Sequence, residues 1–356
     1  MTDTDGRDTD GGTDTSGTLD EALQRLHTHG PERLGRLTNH APMAVEALVH
    51  RGQARTVHRW LDRYRHKLED MPAPHSPVTA TTWREALGDT ARITDWARFF
   101  ERETQERPWR DVLAEWWPRL LPGIAGGSTH PVIRTGHAVR TLLTTEETAP
   151  RRAELAHALG YWAARSQPLP ELTALAPAPS AAAALDAVPP VPRQDGGMRD
   201  RLPQLTAFPS WGATADPDTA RTQLTELVTA ATHRYATHGH GEPIMLVHAA
   251  TAPNAVLRAL PALPRELWPA SLAAAWAASA AVTAAYTPRE VRSHRATTLT
   301  AEEVFELAAA HGDDHTIKFA DTALDIGDPK ALAAALRATE LNPPVFPSKA
   351  WPNGTV

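Results

Sequence analysis

Through almost its whole length this chain repeats apolar side chains every three or four residues, and the strict alternation of a half-buried strand is hardly visible. That periodicity makes an all-α fold the expectation. The stretch "NHAPMAVEALVHRG" shows how the helices are punctuated. Asn39 is a candidate N-cap, Pro42 sits in the first turn and Gly52 is a stop. "HPVIRTGHAVRTLLT" and "PRRAELAHALGYWAARS" read as a helical pair, and "PWRDVLAEWWPRLLPGI" as a tryptophan-rich helix. "TAFPSWGATADPDTA" reads as a loop.

The 356 residues suffice for one large domain or two smaller ones, with a sizeable core. Residues 1–17 are polar and acidic and read as a disordered tail; 18–168 form an N-terminal helical half. Residues 169–200 are rich in Pro and Ala and read as a linker or surface excursion. A C-terminal helical half follows over 201–342, then a tail over 343–356. No solenoid-type repeat appears.

Several function classes lose support at once. The chain has no cysteine, which excludes disulfides, iron–sulfur clusters, thiolate zinc sites and a cysteine nucleophile. Net charge is −6 without a basic block, so no nucleic-acid partner is expected. No run reads as apolar enough to span a bilayer, and the first residues lack a secretory pattern; no membrane association and a cytoplasmic location are the expectations. There is no G-x-G-x-x-G, no P-loop and no H-E-x-x-H. Glu154 and His157 make one E-x-x-H, where a di-iron bundle needs two. His311 and Asp313 have the H-x-D spacing of an iron-binding facial triad, but in a helical context. Asp313 and Asp314 also read as caps opening a helix.

Most of the 17 histidines, including His27, His29, His58, His66, His238 and His240, lie on polar faces or in loops and read as solvated. Four differ. His40 follows a cap asparagine; His130 opens a helix after Gly126 and Gly127; His248 lies in the apolar run "IMLVHAAT"; His315 lies in "DDHTIKFADTAL". Each reads either as a hydrogen-bonded core residue or as a ligand, and spacing alone does not group them. Lys318 shares a helix face with His315. Of 36 basic residues only four are lysines. A buried amine has a lowered pKa, and it can act as a base or take up CO2 as a carbamate, neither of which arginine can do. The alternative is a lysine that snorkels to solvent.

At these residues the sequence resembles the questin oxidase family, fungal and actinobacterial proteins acting on aromatic polyketides. The resemblance lies in "LTNHAPMAVEALV", "LLPGIAGGSTHPVIRTGHAV", "MLVHAATAPNAVLRALPALP" and "HTIKFADTAL", running from about residue 37 to 324. It implies an all-helical oxygenase that uses O2 to insert oxygen into, or cleave, a C–C bond of an aromatic polyketide or anthraquinone-like substrate. It implies a non-haem Fe(II), with zinc also acceptable, held by His40, His130, His248 and His315. Lys318 would be a carbamate ligand, and the metal would lie between the two helical halves. His137 matches the bacterial form of the second motif and is expected to be catalytic, either facing the substrate or standing behind the metal ligands; Lys318 is expected to be catalytic as well. A cofactor-free or NADPH-dependent monooxygenase and a helical small-molecule binder are the alternatives. Asn39, Asp313, Asp314 and Asp321 are candidate partners for the far side of ligand imidazoles. Trp116, Trp117, Trp211, Trp268 and Trp276 suit either a wide aromatic pocket or ordinary packing. Oligomeric state is left open.

Overall fold

The computed structural model describes residues 15–345, so both tails read from the sequence fall almost wholly outside the described residues. The described chain is all-α apart from two small two-stranded sheets. Helix α1 (Thr15–Leu26) is followed by an antiparallel hairpin, β1 (Glu32–Arg33) and β2 (Leu37–Thr38). Next come α2 (Ala41–His50), α3 (Val57–Tyr64), α4 (Trp83–Ala86), α5 (Ile93–Glu106), α6 (Trp109–Leu120), α7 (His130–Thr144) and α8 (Ala149–Arg165). The Pro/Ala-rich stretch carries β3 (Thr173–Pro177) and α9 (Ala181–Asp186), then α10 (Met198–Arg201) and β4 (Ala207–Ser210). Strand β4 corrects part of the loop expected there. It pairs in parallel with β3, whose residues are exposed and include proline, so neither strand shows alternation in sequence.

The second half comprises α11 (Pro217–His238), α12 (Pro243–Leu246), α13 (His248–Ala259), α14 (Trp268–Tyr286), α15 (Ala301–His311), α16 (Asp314–Ile326) and α17 (Pro329–Leu341). Caps mark these helices. Thr300 and Glu303 form a capping box on α15. Asp216, Asp313 and Asp328 each accept a backbone N–H at the start of α11, α16 and α17.

Two packing clusters fill the interior, and each draws on both sequence halves. In one, Trp96, Trp116, Trp117 and Trp162 pack with Leu260, Leu272 and Trp276. In the other, Leu19, Leu48 and Trp60 pack with Phe305, Ile317 and Leu332. Arg265–Tyr286 corrects one expectation: with mean hydropathy 1.2 it is long and apolar enough to cross a membrane. Its Ala-rich helix is apolar all round because it packs against α11 and α13, and 67% of its most apolar window is buried. Helices α7 and α13 cross closely at Gly136, where a Cβ would lie 2.5 Å from Ala255. That approach brings the N-terminal ends of the two helices together.

Candidate metal centre

Each of the four singled-out histidines stands at the start of a helix. His40 immediately precedes α2, His130 is the first residue of α7, His248 the first of α13 and His315 the second of α16. The four helices bring these starts to one place. Ring centroids are 4.6 Å apart for His40 and His130, 4.4 Å for His40 and His315, and 4.4 Å for His130 and His248. His248 and His315 are 5.5 Å apart. One ring nitrogen each from His40, His130 and His315 lies within 4.8 Å of the others.

Local backbone explains how His130 reaches the cluster. Gly127, Ser128 and Thr129 are consecutive left-handed residues (φ 57, 56 and 67°) before α7. For Ser128 and Thr129 that conformation costs of order 1–3 kcal/mol each, a strain characteristic of functional sites. It turns the chain so that His130 Nδ1 donates to the Gly127 carbonyl at 2.7 Å. The neighbouring Gly126 has no room for a side chain, since a Cβ would sit 1.8 Å from the Arg165 carbonyl oxygen. His315 is placed from the other side. Gly312 (φ 80°) closes α15, and Trp60 Nε1 on α3 donates to its carbonyl at 2.8 Å.

The far side of every ring faces an acceptor. His248 Nδ1 donates to the Met245 carbonyl at 3.1 Å. The Nδ1 atoms of His40 and His315 lie 3.3 and 2.8 Å from Asp314 Oδ1. A proton held at Nδ1 leaves a lone pair at Nε2 of a neutral imidazole. Burial drives the His40, His130 and His248 pKa values well below the usual imidazole value, with Lys318 adding to the effect. Four helix N-termini meeting here act in the same direction. The Nε2 atoms of His40 and His130 are nevertheless only 2.8 Å apart, and His248 Nε2, fully buried, has no hydrogen-bond partner among the described residues. Buried imidazole nitrogens gathered in this way, those of His40, His130 and His315 within 4.8 Å of one another and His248 beside them, fit a divalent cation.

Lys318 does not snorkel. It is 1% exposed, its Nζ has no hydrogen-bond partner among the described residues, and Ile317, Phe319 and Ala320 beside it are buried. Burial lowers its pKa to about 8 against the opposing pull of Asp314 and Asp313. Burial raises the Asp314 carboxyl, but His40 and His315 outweigh it and hold the group well below the usual carboxylate range. Lys67 Nζ lies 3.6 Å from the other Asp314 oxygen, and the Tyr64 hydroxyl accepts the His40 backbone N–H at 2.8 Å.

Of the other candidates, Asp313 is a cap, accepting from Thr316 N at 2.9 Å. Asn39 bonds the Gly30 carbonyl and the Ala41 N–H. His311 bonds the Asn342 carbonyl, which leaves the H-x-D spacing without a ligand role. His137 lies two turns along α7 from His130, about 10 Å by helical rise. It contacts Glu46 at 2.5 Å in a separate polar network that also holds Asp321. The lone E-x-x-H is an ionic cluster, with Glu154 gripped by Arg134 at 2.6 and 2.7 Å and His157 bonded to Glu101 at 2.8 Å. His27, read as solvated, is half-buried and 3.1 Å from Glu154. Trp116 packs against Trp83, Trp96 and Phe99, an arrangement of core aromatics. Lys67 and Tyr64 were not singled out from the sequence; the scarcity of lysine was the available signal for Lys67.

The Questin oxidase-like family model matches residues 37–186, less than half of the chain but a span that includes His40 and His130. The match covers the first two of the four sequence stretches, not those of His248, His315 and Lys318, and supports the resemblance there, and with it an oxidoreductase of the oxidase or oxygenase type. No curated protein matches the chain.

Proposed function

From that questin oxidase-like match we propose that the four-histidine centre binds Fe(II), and that the protein uses O2 to oxidise an aromatic polyketide or anthraquinone-like metabolite, inserting oxygen or cleaving a C–C bond. The observation that carries the reading is the gathering of buried imidazoles, two of them (His130 and His248) bonded to carbonyls through Nδ1 and two (His40 and His315) with Nδ1 close to Asp314 Oδ1. Bound Fe(II) would supply the one-electron chemistry by which O2 reacts with closed-shell organic molecules.

The chain's own residues have distinct tasks in this reading. His40, His130, His248 and His315 hold the metal through neutral nitrogens. Asp314 and the Gly127 and Met245 carbonyls fix the ring orientations. Lys318 adds CO2 through its free amine, forming an N–C bond and releasing one proton. Charge favours that step. A divalent ion among neutral imidazoles is offset by the carboxylate of Asp314 and one further anion, whereas an ammonium at Lys318 would repel it. Burial of the whole set excludes bulk water. Zinc suits the same donors, so metal identity is an experimental question.

The test is elemental analysis of untagged protein purified anaerobically without chelator, followed by oxygen uptake with anthraquinones. Iron near one per chain and substrate-dependent uptake are expected. Mass spectrometry of the product formed under 18O2 separates the chemistries: one labelled atom identifies a monooxygenation, whose two further electrons come from NADPH or from the substrate itself, two labelled atoms a dioxygenation, and none an oxidase. Absence of metal even after Fe(II) addition would refute the reading.

A further inference from the structure

Below the histidine cluster the same four helices meet a second time. Helix α2 contributes Glu46, with Arg51 just past its end; α7 contributes His137 and Arg140; α13 contributes Asn254 and Arg258; α16 contributes Asp321 and Asp325. Every one lies six to eleven residues beyond the cluster histidine at the start of its helix, about 9–16 Å along the axis by helical rise. Arg140 joins three helices. Its Nε donates to Glu46 at 2.9 Å, and its Nη1 and Nη2 donate to the two oxygens of Asp321 at 3.0 and 2.9 Å. Arg51 and Arg258 reach the same Asp321 oxygens, each at 2.7 Å, and both also bond Asp325. Asn254 donates to Asp325 at 2.9 Å.

Glu46, His137 and Asp321 have the donor types of a metal site. The charges argue otherwise. Three guanidiniums face three carboxylates, and both oxygens of Asp321 are taken by arginine. A cation placed there would meet carboxylates whose charge three arginines already compensate. Nor is the network a strong source of stability, because the desolvation of buried ions consumes most of their attraction. What such a network does supply is register: each pair is satisfied at only one relative height and rotation of the helices carrying it.

We propose that this network positions the metal site, with Glu46, Arg140, Arg258, Asp321 and Asp325 acting as positioning residues that hold the four histidine-bearing helices at the spacing a single ion requires. The proposal rests on the metal-centre reading above. Arg140 is its keystone, since only a planar fork bridges Glu46 and Asp321 together.

The test uses Co(II) alone as probe, added to metal-free full-length protein, with affinity and visible absorption of the saturated protein as readouts. For Arg140→Lys, helical content is expected to persist while affinity falls about 10-fold and the absorption bands shift, the lower end of what losing an outer partner of a metal site costs. A network that merely stabilises would lower Tm and leave the spectrum of the folded, saturated protein unchanged; that result overturns the proposal. If Arg140→Lys does not fold, Asp325→Asn at the more exposed edge decides by the same readouts, an unchanged spectrum again overturning it. Wild-type protein that binds no Co(II) would refute the metal-centre reading itself and is recorded before any variant is compared.

Discussion

His40 Nε2 and His130 Nε2 lie 2.8 Å apart, while the Nδ1 atom of each ring faces an oxygen that can only accept, Asp314 Oδ1 and the Gly127 carbonyl. One ring with its proton at Nε2 makes this contact a hydrogen bond; with both protons at Nδ1 the two lone pairs face each other. In the second arrangement a cation between them and the unpartnered nitrogen of His248 would take up both lone pairs.

His248→Ala therefore removes a donor without breaking a bond made by its Nε2. The variant should keep its helical circular dichroism and lose more than about 100-fold in metal affinity, beyond the cost of losing an outer partner alone. His40→Ala and His315→Ala should behave alike. Full iron retention by any of the three would contradict the ligand assignment.

Asp314→Asn keeps the shape of the side chain that faces both His40 and His315 but removes its charge. Metal affinity should drop about 10–100-fold. Competition with a chromophoric chelator measures it, and wild-type affinity would show that the carboxylate orients neither ring.

Lys318→Arg should be as damaging to iron content and oxygen uptake as Lys318→Ala, because guanidinium forms no carbamate. Carbon-13 NMR of protein equilibrated with labelled CO2 and metal should show one carbamate resonance in wild type and none in either variant. An active Lys318→Arg enzyme would remove the carbamate from the mechanism.

Away from the centre, Glu154 governs part of the acid limb of stability. Burial raises its carboxyl, but Arg134 and then His27 outweigh that and lower its pKa to about 2 from 4.5. A depressed folded value stabilises fully above pH 4.5, and the contribution disappears as pH falls through 2. The difference corresponds to about 3 kcal/mol. Glu154→Gln should lower Tm at pH 7 and flatten its decline between pH 4.5 and 2; a parallel decline in both proteins would show that the pair contributes nothing to it.

Helix starts and stops were readable because caps and breakers act locally. "HPVIRTGHAVRTLLT" is α7 residue for residue, and Asp313 caps α16 as its position suggests. The paired glycines before His130 announced a close approach, and the structure places the Arg165 carbonyl there. Strand β4 was not readable, since its partner lies some 35 residues earlier and the pairing is parallel. His27 misled because one polar neighbourhood in sequence can be an ionic cluster in space.

The sequence by itself determined an all-α chain, four histidines unlike the rest, two of them (His40 and His130) at helix starts, and a lysine kept where arginine is otherwise preferred. Helical period and capping need only a few neighbouring residues, so a linear reading suffices for them. The structure decided that all four stand at helix heads and that those heads meet, that Asp314 faces two of the rings, and that His137 belongs with Glu46 and Arg140 about 10 Å along its helix rather than with His130. Such juxtapositions depend on how helices far apart in sequence cross and on which buried charges must be compensated, and no local pattern encodes either.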